Sequence, residues 1–259
     1  MVNGAGLALP FVAVILLWFV STGVVAMISH RLRASFGGSL LIACLCAFVG
    51  LSLVALSSQS DAAWASYASF TGGLLIWSWH EISFLTGAVT GVHREPCPLG
   101  ASGWRRFSMA TLALIHHEVA LAMTAGLLLL LAAVTVNATG AYAVALLFVF
   151  RLASKLNIYR GVPYMSDELL PPHLDYLKSY FGPKSLHLVL PATITLIMAL
   201  ACWFALVAYS ATTGGEAVSA SLLCCLCLLA ALEHLFLALP FRDSALWGWA
   251  MDKRTKREI

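Results

Sequence analysis

Seven hydrophobic runs, separated by short polar stretches, occupy most of the chain up to position 239. A helix needs about 20 apolar residues to cross a bilayer, and most of the runs approach or exceed that length. The segments are Leu7–Ile28, Ser39–Leu56, Ala65–Val89, Met109–Val136, Ala141–Leu156, Leu186–Tyr209 and Val218–Leu239. The pattern therefore predicts an all-α polytopic membrane bundle of about seven transmembrane helices.

The basic residues are divided unevenly among the loops. All 15 Lys and Arg residues lie after segments 1, 3, 5 and 7, counting Arg151 and Lys155 at the end of segment 5, and the other loops contain none. Because positively charged loops stay in the cytoplasm, we expect the N-terminus outside and the C-terminus inside. The chain is predicted to be a single transmembrane domain, 1–259, with cytoplasmic loops 90–108 and 157–185 and a cytoplasmic tail 240–259.

Two of the predicted cytoplasmic stretches show further patterns. In the longer loop, Leu174, Leu177 and Phe181 recur at helical spacing, and proline stands on both sides of them. This pattern predicts a short helix over His173–Phe181 that lies on the cytoplasmic membrane surface. The tail segment Trp247–Ile259 combines two Trp residues with a basic run. We expect it to anchor at the membrane surface and to contact partners there.

Composition supports the membrane class and excludes a water-soluble domain. The 259 residues are 61% hydrophobic and 10% charged, with a mean hydropathy of +0.89, whereas soluble domains average about 25% charged residues. Six of the seven Cys residues lie inside apolar runs, where Cys packs as a small hydrophobic residue. The basic residues decorate a membrane surface, so no nucleic-acid partner is predicted.

Ionisable residues interrupt four of the hydrophobic segments at a similar depth. They are Glu81 in segment 3, His117 and Glu118 in segment 4, Arg151 in segment 5, and Glu233 and His234 in segment 7. A helical rise of about 1.5 Å per residue places them roughly 7–14 Å below the cytoplasmic interface. Such residues are costly in lipid and usually turn inward, so we expect these six to face one another inside the bundle. Further predicted partners in this polar layer are His80, His116, Lys155 and Asn157.

Several chemical interpretations of the polar layer remain open. The carboxylates could simply neutralise Arg151 and Lys155, as buried polar groups do when they hold membrane helices together. Alternatively, carboxylates and imidazoles suit iron, zinc or manganese, and soluble helix bundles hold di-iron sites with Glu and His. The candidate metal ligands are Glu81, His117, Glu118, Glu233 and His234. A His residue beside Trp77, Trp79 and Phe84 could also contact a tetrapyrrole pigment, and His and Glu together could transfer protons.

Longer motifs give the chain a specific family resemblance. These motifs are Trp79–Gly87, Thr90–Gly91, Pro96–Pro98, Trp104–Phe107, His117–Glu118, Arg151–Val162, Pro172–Leu177, Ser179–Phe181 and Leu232–His234. In this order they resemble the PuhE family of photosynthetic complex assembly proteins, and the resemblance covers nearly the whole chain. It implies a multi-pass protein of the bacterial inner membrane, which is either the cytoplasmic membrane or the intracytoplasmic photosynthetic membrane.

The resemblance also implies a function. It predicts a membrane assembly factor for the photosynthetic reaction centre and its light-harvesting complex, or a modulator of bacteriochlorophyll supply to them. The expected partners are reaction-centre or light-harvesting subunits, or pigment-biosynthesis proteins, together with the lipid bilayer. The alternative is an intramembrane metalloenzyme, with a His/Glu metal site, that acts on a pigment or quinone-like substrate. The sequence assigns no catalytic residue and leaves open whether the protein is an enzyme.

Overall fold

The computed structural model describes residues 4–31, 36–165, 170–241 and 246–250. Its helices are α1 (Gly4–Arg31), α2 (Phe36–Ser57), α3 (Ala63–Leu85), α4 (Gly103–Leu112), α5 (Ile115–Ala132), α6 (Thr139–Arg160), α7 (Val189–Ser210) and α8 (Gly214–Phe236). A 3-10 helix (Pro172–Tyr180) lies between α6 and α7. These ranges contain no strand, which confirms the all-helical prediction for the described part of the chain.

Six of the described helices, α1, α2, α5, α6, α7 and α8, are long and apolar enough to span a membrane. The multi-pass prediction is therefore confirmed. Helix α3 is 23 residues long, but its last two turns contain the polar run Ser78–Glu81. A seventh span through α3 stays a prediction.

Helix α3 is the centre of the bundle and packs against α1, α2, α5, α6 and α8. Small residues allow the close crossing with α2, where a Cβ added at Gly50 or at Gly72 would lie 2.6 Å from the carbonyl oxygen of the other. On its other side, the Gly140 amide at the start of α6 donates to the Ser69 hydroxyl at 2.9 Å. Such small-residue contacts are typical of membrane helices, and they let α3 pack closely against α2 and α6.

The prediction of one continuous fourth segment, Met109–Val136, is wrong. The chain breaks between α4 and α5, because the loop after α3 bonds to the backbone at this point. The His117 amide donates to the Thr90 carbonyl at 3.0 Å, and the His93 amide donates to the Leu112 carbonyl at 3.3 Å. Helix α4 is therefore a separate short helix, and α5 begins just before His117 and Glu118.

The predicted surface helix His173–Phe181 is present in a different form. It is a 3-10 helix over Pro172–Tyr180, and its apolar side chains face the protein. Leu174, Leu177 and Tyr180 are buried in a cluster with Phe84 of α3. The spacing of three residues, which suggested an amphipathic α-helix, also places side chains on one face of a 3-10 helix.

Trp247, which was predicted to anchor the tail at the membrane surface, is instead buried against the bundle. This side chain is 3% exposed, and its Nε1 donates to the Phe19 carbonyl of α1 at 3.1 Å. Its ring meets Trp18 edge to face, with 5.1 Å between centroids. The first part of the tail is therefore packed on the bundle, and residues 251–259 of the predicted partner surface lie outside the described residues.

The predicted orientation can be tested by cysteine labelling in intact cells. Leu99 is fully exposed between α3 and α4, and Thr212 is exposed between α7 and α8. In a Cys97→Ser background, a membrane-impermeant maleimide is expected to label Thr212→Cys and not Leu99→Cys, because the loops free of Lys and Arg are predicted to lie outside. Labelling of Leu99→Cys in intact cells would contradict the orientation.

Candidate functional site

A cavity of about 430 Å³ opens between the helices of the bundle, and two of the residues that line it, Arg151 and Glu233, are exposed. Its walls come from α1, α3, α4, α6, α8 and the 3-10 helix, and four charged side chains reach it: Glu81, Arg151, Lys155 and Glu233. The rest of the lining is mostly apolar and aromatic. A concave apolar site with a few convergent polar groups is the usual form of a ligand pocket.

Two ion pairs stand at this cavity and join α6 to its neighbours. Arg151 Nη2 lies 3.2 Å from Glu81 Oε2 of α3, and Lys155 Nζ donates to Glu118 Oε1 of α5. The two cations are one helical turn apart on α6, so they share a face of that helix. Pairing lowers the cost of holding these charges among apolar helices.

The third carboxylate, Glu233, reaches the same cavity from α8. Its Oε1 accepts a hydrogen bond from Trp18 Nε1 of α1 at 2.8 Å, and Arg151 attracts it electrostatically. Glu233 therefore links α1 and α8 at the level of the ion pairs. The structure brings Glu81, Glu118, Arg151, Lys155 and Glu233 into one region of the bundle.

The imidazoles are distributed differently from the carboxylates. His117 is 1% exposed and packs on the Phe84 ring at 4.6 Å. His80 shares a hydrogen bond of 3.0 Å with the Thr124 hydroxyl of α5. The Nδ1 atom of His234 donates to the Ala230 carbonyl of its own helix at 2.8 Å. None of these three His residues lines the cavity.

The remaining predicted partners lie outside the cavity. His116 is exposed, which corrects its placement in the polar layer, because α5 turns this side chain away from its neighbour His117. Asn157 is buried, and its amide donates to the Thr193 hydroxyl of α7 at 3.2 Å. It joins α6 to α7.

The predicted metal ligands do not form a common cluster. Among the residues whose positions are described, no group of three or more His, Cys, Asp or Glu side chains is arranged to hold a metal ion. Adjacent helical residues point about 100° apart, so Glu233 reaches the cavity and His234 does not. The ligand set Glu81, His117, Glu118, Glu233 and His234 stays a prediction.

Arg106 of α4 holds three residues of the cavity lining, Tyr159, Tyr180 and Phe181, in place. Arg106 Nη2 donates to the backbone carbonyls of Tyr180 at 2.7 Å and Phe181 at 3.1 Å, and its guanidinium stacks over the Tyr159 ring at 4.3 Å. The Tyr180 hydroxyl donates to the Glu95 carbonyl at 3.1 Å. Burial raises the pKa of the Tyr180 phenol, so it remains a neutral donor at physiological pH.

Comparison with known proteins places the whole chain in one family. Residues 5–258 match a family described as a protein of unknown function, DUF3623. The chain belongs to the DUF3623 family. It is 32% identical to an uncharacterized 30.4 kDa protein in the puhA 5′ region of Rhodobacter capsulatus, over 247 residues that cover 92% of this chain and 88% of that protein. No solved structure matches.

The sequence did not indicate that several further residues of this DUF3623 protein line the cavity. Trp18 binds Glu233, and Trp247 and the small polar residues Thr22, Ser78 and Ser154 also line the cavity. A signal was available for Trp18, since Trp usually marks the ends of membrane helices and this one lies near the middle of an apolar run. Trp247 had no such signal, because its contact with α1 joins distant parts of the chain.

Proposed function

We propose that this DUF3623 protein is a PuhE-type membrane assembly factor for the bacterial photosynthetic reaction centre and its light-harvesting complex. The observation that supports it is the relative in Rhodobacter capsulatus, whose description refers to the 5′ region of puhA and which matches nearly the full chain. The proposed location is the inner, photosynthetic membrane. The proposed partners are subunits of these complexes or proteins that supply their bacteriochlorophyll.

The geometry favours a binding role over the metalloenzyme alternative. The charged groups at the cavity are bound in cross-helix pairs, Arg151 with Glu81 and Lys155 with Glu118, as in a structural or ligand-binding layer. The His residues expected to complete a metal site do not line the cavity. A binding protein that handles a hydrophobic component during assembly makes use of such a pocket without catalysis.

Gene replacement in Rhodobacter capsulatus tests the proposal. Deletion of the relative's gene is expected to reduce the near-infrared absorption of the assembled complexes, while extracted pigment precursors stay at normal levels. A plasmid copy of the present chain is expected to restore assembly, because the two proteins share 32% identity over nearly their full length. An inactive copy, truncated after α2, serves as the control.

Two results would contradict the assembly role. Normal complex levels in the deletion strain would show that assembly does not require the protein. Accumulation of a single biosynthetic intermediate would favour the enzyme, since a blocked reaction raises its substrate and a missing assembly factor does not.

A further inference from the structure

The charged groups around the cavity are already engaged in contacts with the protein. Two carboxylates, Glu81 and Glu233, and two cations, Arg151 and Lys155, line its walls, and each takes part in a contact that involves a charge or a hydrogen bond. A charged molecule that entered would have to compete with these contacts and lose its own hydration. The electrostatics therefore favour an uncharged occupant.

The polar wall nevertheless has unused hydrogen-bonding capacity of both kinds. A guanidinium carries five N–H donors, and Arg151 gives one of them to Glu81 in the only side-chain hydrogen bond it makes with the described residues. Glu81 is 8% exposed, and its Oε1 has no hydrogen-bond partner in the part of the chain that the structure describes. A buried acceptor without a donor is costly, so a ligand that brings a donor to the Glu81 carboxylate is stabilised there.

The apolar walls define the shape of that molecule. Aromatic rings line the cavity from several directions, including Trp18 on α1, Trp77 and Phe84 on α3, Phe150 on α6 and Trp247 in the tail. Such walls favour a flat ring, which can stack or meet them edge to face. The volume of about 430 Å³ lies toward the lower end of the roughly 300–1,000 Å³ typical of ligand pockets, so it suits one ring with substituents rather than a large macrocycle.

We propose that this cavity binds an uncharged, single-ring quinol or phenol from the lipid phase. One hydroxyl of the ring donates to the Glu81 carboxylate, and a ring oxygen accepts from the free N–H groups of Arg151. The ring itself lies among Trp77, Phe84 and Phe150. This assignment is independent of the proposed function, because it concerns binding by the purified protein and not the assembly of any complex.

Thermal unfolding of the purified full chain, followed by Trp fluorescence, tests the assignment with decylubiquinol and decylubiquinone as probes. A ligand that binds the folded state raises the unfolding midpoint, and at a fixed ligand concentration the shift grows with the logarithm of its affinity. The quinol is expected to bind roughly tenfold more tightly than the quinone, because only the quinol can donate a hydrogen bond to a carboxylate. Equal shifts by the two probes would overturn the donor contact to Glu81.

Three variants separate the cavity from nonspecific partition into detergent. Ser154→Leu narrows the cavity without touching an ion pair, and the double variant Glu81→Leu/Arg151→Leu removes both polar contacts. Each is expected to weaken quinol binding by roughly 100-fold. The matched control is Arg160→Gln on the same helix, which does not line this cavity and is expected to bind like the wild type.

The other possible results of these binding experiments also decide whether the quinol binds in the cavity. Wild-type affinity in Ser154→Leu, or an equal loss in Arg160→Gln, would show that the probe binds elsewhere. A free-base chlorin that raises the midpoint more than decylubiquinol does would overturn the single-ring assignment in favour of a tetrapyrrole. Failure of quinol binding would leave the deletion phenotype unaffected, so the two proposals stand or fall separately.

Discussion

Arg151→Leu is expected to destabilise the protein by about 3–5 kcal/mol, because it leaves the carboxylate of Glu81 inside the bundle without its cation. The Glu81 side chain is 11% exposed, whereas that of Arg151 is 46% exposed and borders the cavity. Removal of Arg151 is therefore expected to destabilise the protein more than removal of Glu81. The free energy of unfolding can be measured by titration with SDS in mixed micelles, with helix content followed by circular dichroism.

Two further variants distinguish an unpaired charge from lost packing. The double variant Glu81→Leu/Arg151→Leu is expected to recover most of the stability, because replacing both members of a buried ion pair with apolar residues is often close to neutral. Glu81→Leu alone should fall between the two, since Arg151 still faces the cavity and Glu233. If the double variant is as unstable as Arg151→Leu, the pair does not act through its charge.

Gly91→Ala is expected to destabilise the protein by about 3 kcal/mol or more, since the new methyl group has no space. A Cβ added at Gly91 would lie 2.1 Å from the Leu112 carbonyl oxygen and 2.4 Å from the Ala113 carbonyl carbon. Both are backbone atoms at the break between α4 and α5, so no side-chain rotation can relieve the contact. The same SDS titration measures the effect.

Gly126→Ala on α5 is the matched control for this substitution. A Cβ at Gly126 would meet nothing within 4 Å, and alanine favours a helix over glycine by about 0.5–1 kcal/mol. Stability is therefore expected to stay the same or to rise slightly. A mild effect of Gly91→Ala, equal to that of Gly126→Ala, would show that the loop does not hold the helix break in place.

The helix break matters for the polar layer because it sets where α5 begins. Glu118 lies in the first turn of α5 and bonds Lys155 from there. A continuous helix through Ala113 would rotate and shift this carboxylate relative to α6. The loop at Gly91, although distant in sequence from Lys155, thus helps to align the second ion pair.

The sequence by itself determined the class of the protein and the nature of its layer. Apolar runs of membrane length can be recognised from local composition, since the lipid core accommodates mainly apolar helices. For the same reason, charges such as Glu81 and Arg151 had to turn toward each other or toward a cavity. These conclusions depend only on the composition of each segment and on the lipid that surrounds it. The hydropathy of the sequence is enough to establish both.

Only the tertiary structure decided which groups meet. That Arg151 bonds Glu81 and Lys155 bonds Glu118 depends on the rotation of three helices about their axes, which hydropathy does not specify. Trp18 reaches Glu233, and Trp247 packs on α1, through contacts more than 200 positions apart in sequence. The cavity exists because these distant side chains leave a space between them. The sequence could not predict it, because packing depends on residues that are close in space but far apart along the chain.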